Sequence, residues 1–352
     1  YKDAAFTSPC TKYQHPPWNT SILGALKVSK IILGCMSYGE KDWAQWVLEQ
    51  PEALEILHYA YQRGINTWDT ADVYSYGRSE EIVGKTLKKY NIPRERVVIL
   101  SKCFFGLEKG SAESAMGLKN DGEFVNGMSL SRKHILDAVE ASVKRLGTYL
   151  DVLWIHRLDR ETPKEEIMRA LNDVIERGWV RYIGASSMAA WEFQQLQNIA
   201  EKHGWHKFVA MQNLYNLLYR EEEREMIPYC HNTGVGLTPW YALASGTLAR
   251  PWNGDSTERS RNDTFRGVLL GKGEEADKII VDRVEEIAKK KGIPMAQVSI
   301  AWLLSKNYVT PILGLGKTSR VDEAVEAVKV KLTNEEIAYL EEPYQPKRVT
   351  GY

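Results

Sequence analysis

The chain has 352 residues, of which 46 are Lys or Arg and 46 are Asp or Glu, so its formal net charge is zero. That balance argues against nucleic acid or an anionic membrane as the main partner, since both select a positive excess. A hydrophobic content of 43% with 26% charged residues is an ordinary globular mix, and eleven Trp with eighteen Tyr hint at a pocket for flat molecules.

Short β-branched or apolar runs alternate along the chain with stretches whose apolar residues recur at helical spacing. Residues 1–29 form an N-terminal extension, in which Ile22–Leu26 and Val28–Ile32 are expected to make a hairpin closing a barrel floor. Strands are then expected at Lys30–Leu33, Asn66–Asp69, Val97–Lys102, Val152–His156, Val180–Ala185, Val209–Asn213, Gly236–Trp240 and Thr310–Leu313. The helices between and after them are Pro51–Gln62, Ser79–Tyr90, Arg132–Leu146, Lys164–Glu176, Ala189–Lys202, Glu221–His231, Ala276–Lys291 and Ser319–Val328. Pro51 and Pro163 suit helix starts, while Gly64, Gly147, Gly178 and Gly292 suit helix stops. Residues from about 329 to 352 are read as a C-terminal helix and tail.

Eight strands in strict alternation with eight helices is the count of a closed parallel (β/α)8 barrel, expected here as a single domain over residues 1–352. A doubly wound open sheet is the rival reading. Two long polar loops, Cys103–Ser131 and Tyr241–Gly273, follow strands at the face where barrel active sites sit, and are candidate pocket walls.

Cys10, Cys35, Cys103 and Cys230 are scattered, with no C-x-x-C pair and no His at ligand spacing, so neither a metal site nor a disulfide framework is expected. No basic-then-apolar leader opens the first thirty residues, and the longest apolar run, Val298–Leu304, falls far short of the ~20 residues that span a bilayer. The expectation is a cytoplasmic protein with free thiols and no membrane partner.

Several motifs are decoys. GKT occurs at Gly84–Thr86 and Gly316–Thr318, but a phosphate loop needs Gly five residues earlier, where Ser79 and Pro311 stand. No G-x-G-x-x-G follows the first strand, and no G-x-S-x-G elbow or H-E-x-x-H helix is present. The sequons Asn19-Thr20-Ser21 and Asn262-Asp263-Thr264 mean little without a leader.

The residues at the C-terminal ends of the strands form a more telling set. Asp69 ends the second strand and Tyr74 follows it, Lys102 ends the third, and His156 ends the fourth. Ser186 and Ser187 follow the fifth, Gln212 lies on the sixth, and Trp240 ends the seventh. Each has an ordinary alternative: Asp69 as a loop cap, Tyr74 as a packing residue, Lys102 as a solvated strand end, His156 as a core histidine. Their convergence on one rim favours chemistry. A phenol beside an ammonium can act as a proton donor, with Lys102 lowering the Tyr74 pKa. Asp69 offsets the cost of burying that ammonium, and His156 can donate a hydrogen bond to charge developing beside it.

GINTWDTADVYSYGRSE, VVILSK, LWIHRLD, GAS, MQNLYN and PILGLGKTSR stand in the order and spacing of the aldo-keto reductase superfamily, which the chain resembles from about Ser29 to Val328. Their surroundings are most similar to the fungal branch of aryl-alcohol dehydrogenases and versiconal hemiacetal acetate reductases. The resemblance implies a catalytic tetrad of Asp69, Tyr74, Lys102 and His156. It also implies NADPH/NADP+ extended across the barrel mouth, bordered by Gly34, Cys35, Met36 and Asp69. Ser186, Ser187 and Gln212 would bind its carboxamide, and Trp240 would stack on its ring. The pyrophosphate would lie over Tyr241, Ala242, Leu243, Ser245 and Gly246. Beyond the last strand, Gly314 and Gly316 admit a close backbone approach. Lys317 and Arg320, with Glu323 nearby, stand at a helix start suited to a 2′-phosphate, which favours NADPH over NADH.

Two departures are visible: Ser187 stands where relatives often have Asn, and WYALASG lacks their usual Ser-Pro pair. Tyr38, Phe104 and Phe105, with Tyr74 and His156, are the candidate substrate contacts, and Trp43, Trp46 and Trp252 are further pocket candidates. The expected activity is NADPH-dependent reduction of an aromatic aldehyde, ketone or hemiacetal. The alternative is a cofactor-sensing regulatory subunit resembling potassium-channel β-subunits, and a barrel isomerase or hydrolase without nicotinamide binding is a third reading. A homo-oligomer stays open.

Overall fold

A computed structural model describes residues 20–107, 117–254 and 274–352. It opens with an antiparallel hairpin of β1 (Thr20–Leu23) and β2 (Leu26–Ser29), with Thr20 opposite Ser29 and Leu23 opposite Leu26. Gly24 and Ala25 make the two-residue turn, and Gly24 takes φ +59, the left-handed value required at its first central position. The hairpin therefore reverses earlier than the pairing of Ile22–Leu26 with Val28–Ile32 implies. Leu23 and Val28 pack with Ile32, Val98, Leu100, Val152, Trp154 and Ala210 in one apolar cluster, so the hairpin stoppers the barrel floor as expected.

Eight further strands lie side by side and parallel: β3 (Ile32–Gly34), β4 (Thr67–Asp69), β5 (Val98–Cys103), β6 (Leu150–Ile155), β7 (Val180–Ser186), β8 (Phe208–Gln212), β9 (Gly236–Leu237) and β10 (Ile312–Leu313). They follow chain order around the sheet, with β10 beside β3. A bridge from Leu237 to Val309 joins β9 to the approach of β10. The Thr310 amide donates to the Leu237 carbonyl at 2.8 Å and the Ile312 amide to that of Pro239 at 3.0 Å, which closes a (β/α)8 barrel.

Helices α1 (Gln50–Gln62), α2 (Arg78–Lys89), α3 (Arg132–Leu146), α4 (Lys164–Glu176), α5 (Ala190–His203) and α6 (Met226–Thr233) fill the first six crossings. Then α7 (Glu274–Lys291) and α8 (Met295–Leu304) share the seventh, and α9 (Thr318–Ala327) and α10 (Asn334–Glu341) follow β10. Local chemistry sets several ends. Ser131 Oγ accepts from the His134 amide at 3.2 Å to cap α3, and Thr333 and Glu336 form a reciprocal capping box at α10. The four glycines expected as stops all take positive φ.

Two departures have physical causes. β9 and β10 each hold only two residues because Pro239 and Pro311 carry no N–H for a ladder; isolated bonds such as Trp240 amide to Asn213 carbonyl, 2.9 Å, carry on the pairing. The sequence pattern also missed α8. Its residues Met295–Leu303 are all buried, so no polar stripe marks a helix.

Among the described residues no helix is long and apolar enough to cross a membrane, and no group of three or more His, Cys, Asp or Glu could hold a metal ion. Cys35, Cys103 and Cys230 are buried free thiols. Cys10, Asn19, Asn262–Thr264 and the greater part of the N-terminal extension lie outside the described residues. So do residues 108–116 and 255–273 of the two long loops.

Candidate active site

Alternation along a strand aims every second side chain at the barrel axis. On β5 the inward row runs Val98, Leu100, Lys102, and on β6 it runs Val152, Trp154 and then His156; the lower members belong to the apolar interior cluster. The upper members are therefore the first polar layer above a dry plug. Gly184 on β7 makes room for the Trp154 indole in that plug, since a Cβ there would lie 2.3 Å from the ring.

Lys102 is buried to 1% exposure, and its ammonium forms an ion pair with Asp69 Oδ1. It also donates to the Thr70 carbonyl at 2.8 Å and reaches the Tyr74 hydroxyl at 3.2 Å. Gln212 Nε2 donates to the other Asp69 oxygen at 3.1 Å, so the carboxylate is held from both sides. The Tyr74 and His156 rings meet edge to face with centroids 5.9 Å apart. Tyr74 is positioned by a strained turn: Ser75, Tyr76 and Gly77 take φ of 48°, 57° and 88° in succession. Ser75 Oγ accepts from the Glu40 amide at 3.1 Å, which ties this turn to the segment after β3.

Burial works against the Lys102 ammonium, but the Asp69 charge and Tyr74 more than offset it, so its pKa rises and it stays charged. Burial also raises the Tyr74 pKa, and Lys102 opposes it only in part. Lys102 pulls the phenol down as expected, but the expected net lowering is corrected: the dry site and the Asp69 carboxylate outweigh the ammonium. Burial, Lys102 and Arg157 together push His156 well below its ordinary value, so the imidazole is neutral. Its Nδ1 is buried without a partner among the described residues. The site thus pairs a neutral phenol and a neutral imidazole with a fixed ammonium.

These groups open onto a cavity of about 570 Å³. Its wall includes Asp69, Tyr74 and His156, with Gly34, Met36, Ser186, Gln212 and Trp240 from other strand ends. The turn after β9 adds Tyr241, Ala242, Leu243, Ser245 and Gly246; Tyr241, Ser245 and Gly246 take positive φ, as does Ala244 between them. Gly314, Arg320 and Glu323 line it from the last strand and α9. Burial raises the Glu323 carboxyl, and Arg320 opposes that shift.

Four expected cofactor residues stand off the wall. Cys35 is fully buried, with its carbonyl accepting from Ser79 Oγ at 2.8 Å. Ser187 instead accepts from the Trp240 indole N–H at 3.3 Å, so it orients the indole. Gly316 and the exposed Lys317, which is the N-cap residue of α9, lie beside the wall without lining it.

The substrate candidates divide. Tyr38 is a core residue, fully buried, its hydroxyl donating to the Leu315 carbonyl at 2.7 Å; the expectation that it meets substrate is corrected by that bond. Phe105 lies behind the site, its ring 5.1 Å from that of His156, and Phe104 packs edge-on against it. Trp43 is buried against Tyr74, ring centroids 6.0 Å apart, whereas Trp46 reaches the cavity. Trp252 packs on the core, and its neighbours Pro251 and Gly254 line the wall.

Arg157, Arg250 and, from α8, Ala296 and Ile300 also line the cavity and were missed. Arg157 carried a signal, a charged residue directly after His156 in LWIHRLD. Ala296 and Ile300 carried none, because their helix was not recognised.

The aldo/keto reductase family model matches residues 30–345. The chain is 63% identical over 328 residues to versiconal hemiacetal acetate reductase of Aspergillus parasiticus, covering 92% of this chain and 96% of that one. It is 55% identical over 337 residues to a Schizosaccharomyces pombe protein named for aryl-alcohol dehydrogenase activity, covering 93% and 95%. An aldo-keto reductase of Alternaria alternata is 46% identical over 341 residues, covering 93% and 91%. A closed barrel, matched over most of its length by reductases and dehydrogenases, makes this chain an oxidoreductase of the aldo/keto reductase family.

Proposed function

We propose that this protein reduces an aromatic aldehyde, ketone or hemiacetal to the alcohol with NADPH, Tyr74 giving the proton. The observation that carries the reading is the Tyr74 side chain on the cavity wall, its hydroxyl 3.2 Å from the buried Lys102 ammonium behind it. The nicotinamide cofactor supplies a hydride when bound. Ser186 and Gln212 would hold its carboxamide, Trp240 its ring, the turn from Tyr241 to Gly246 its pyrophosphate, and Arg320 with Lys317 its 2′-phosphate. The fit is supported by the two cations at the start of α9, neither of which has an ion pair among the described residues, and by the helix N-terminus beside them.

As charge grows on the carbonyl oxygen, the neutral His156 donates a hydrogen bond and Tyr74 Oη gives up its proton. Lys102, 3.2 Å away, stabilises the phenolate left behind, and Asp69 keeps that ammonium in place. The raised Tyr74 pKa serves an acid: the proton is present at neutral pH and leaves only when the substrate oxygen needs it.

Purified protein mixed with NADPH and benzaldehyde should consume NADPH, read as loss of its near-ultraviolet absorbance. Tyr74→Phe keeps the ring and removes the acid, so kcat should fall roughly 10²–10⁴-fold. Turnover by Tyr74→Phe at the parent rate would remove Tyr74 from the proton-donor role.

A further inference from the structure

Most partly buried arginines in this fold face a carboxylate. Arg94 meets Asp151 at 2.6 Å, Arg145 meets Glu80 at 2.6 Å, and Arg220 meets Glu223 at 2.7 Å. Arg157 does not. It follows His156 at the end of β6, lines the cavity, and has no ion pair among the described residues. Its single hydrogen bond there runs from Nη1 to the His156 carbonyl at 2.6 Å, and its guanidinium sits 5.7 Å from the Trp240 ring centre. A guanidinium carries five N–H donors, so most of those on Arg157 have no protein partner among the described residues.

The cavity's other ligand requirements are met elsewhere. Lys317 and Arg320 stand ready for a phosphate at α9, while a nicotinamide ring is neutral or cationic and offers this guanidinium no anion. The group missing from the arrangement is an oxyanion beside the Tyr74 and His156 pair. We propose that Arg157 is a specificity-determining residue that binds an oxyanion on the substrate, so the enzyme prefers aromatic carbonyl compounds carrying a carboxylate. The planar fork suits a carboxylate with two parallel hydrogen bonds. Burial lowers the Arg157 pKa, with Tyr74 opposing, which marks a cation short of counter-charge.

This inference rests on the reductase reading above, and two measurements separate the failure of one from the failure of the other. In the first, 3-carboxybenzaldehyde and its methyl ester are compared with saturating NADPH in the parent, Arg157→Met and Arg157→Lys. The parent should favour the carboxylate in kcat/KM by about tenfold or more, the worth of one charged hydrogen-bonded contact. Arg157→Met should lose that preference through KM, with the KM for NADPH unchanged, and Arg157→Lys should restore part of it. An unchanged preference in Arg157→Met, or a KM for NADPH that rises in step, overturns the assignment. In the second, calorimetry follows benzoate binding, which needs no reduction. Binding by the parent that Arg157→Met loses supports the oxyanion site even if no aldehyde is turned over, an outcome that would sink the reductase reading instead. Equal benzoate binding in both proteins removes the oxyanion site.

Discussion

Lys102 is the residue on which the polar layer depends, because an ammonium at 1% exposure survives only with its charge answered. Asp69→Asn keeps the shape and removes the answering charge. Stability should fall by about 3 kcal/mol, the scale for breaking a buried pair by neutralising one partner, read as a lower urea midpoint at pH 7. A loss below about 1 kcal/mol would mean that Thr70 and Tyr74 suffice to hold Lys102. Asp69, Lys102 and His156 were legible as rim residues because each stands at or just past the C-terminal end of an apolar strand, and Tyr74 follows Asp69 by five residues. Tyr38 was not: its place after the first strand looks the same whether the ring turns to the cavity or to the core. The Leu315 carbonyl that decides it is 277 residues away.

Elements were legible wherever one face is polar. α2 and α4 show a clear apolar stripe, and the structure places them where the spacing predicts; α8, apolar all round, shows none. Gly84 illustrates a motif that looked chemical and is architectural. A Cβ there would stand 2.3 Å from the carbonyl oxygen of Leu146, so α2 crosses the end of α3 at backbone contact. Replacing Gly by Ala within a helix ordinarily gains up to about 1 kcal/mol. Gly84→Ala should instead lose about 1–3 kcal/mol by forcing the helices apart, measured by urea unfolding. A gain would show that the crossing relaxes freely.

For the whole molecule, the C-terminal tail and the barrel share a buried carboxyl. Glu222 accepts from Tyr352 at 2.9 Å and from Asn213 at 2.8 Å, and burial pushes its pKa from 4.5 up to about 7. The fold therefore favours the protonated form. That contribution is complete below pH 4.5 and is lost as pH rises through about 7. His134 acts oppositely: burial pushes it from 6.5 to about 4, so its contribution is lost as pH falls below 6.5. Glu222→Gln removes only the first slope. Between pH 4.5 and 7.5 the variant should gain about 3 kcal/mol on the parent, at ~1.4 kcal/mol per unit of pKa, read from paired urea titrations. A stability difference that stays constant across that range would show a Glu222 carboxyl that titrates normally.

Periodicity along the chain settled the alternation of strands and helices and the barrel, and it put Asp69, Lys102 and His156 at strand ends, because those depend on which residues follow one another at intervals of two and of 3.6. Closure decided the rest. Whether Tyr38 and Cys35 face core or cavity, whether burial or the ammonium governs the Tyr74 pKa, and whether Arg157 meets a carboxylate all depend on groups brought together from distant strands. Desolvation and pairing arise only in three dimensions, so no window of sequence contains them.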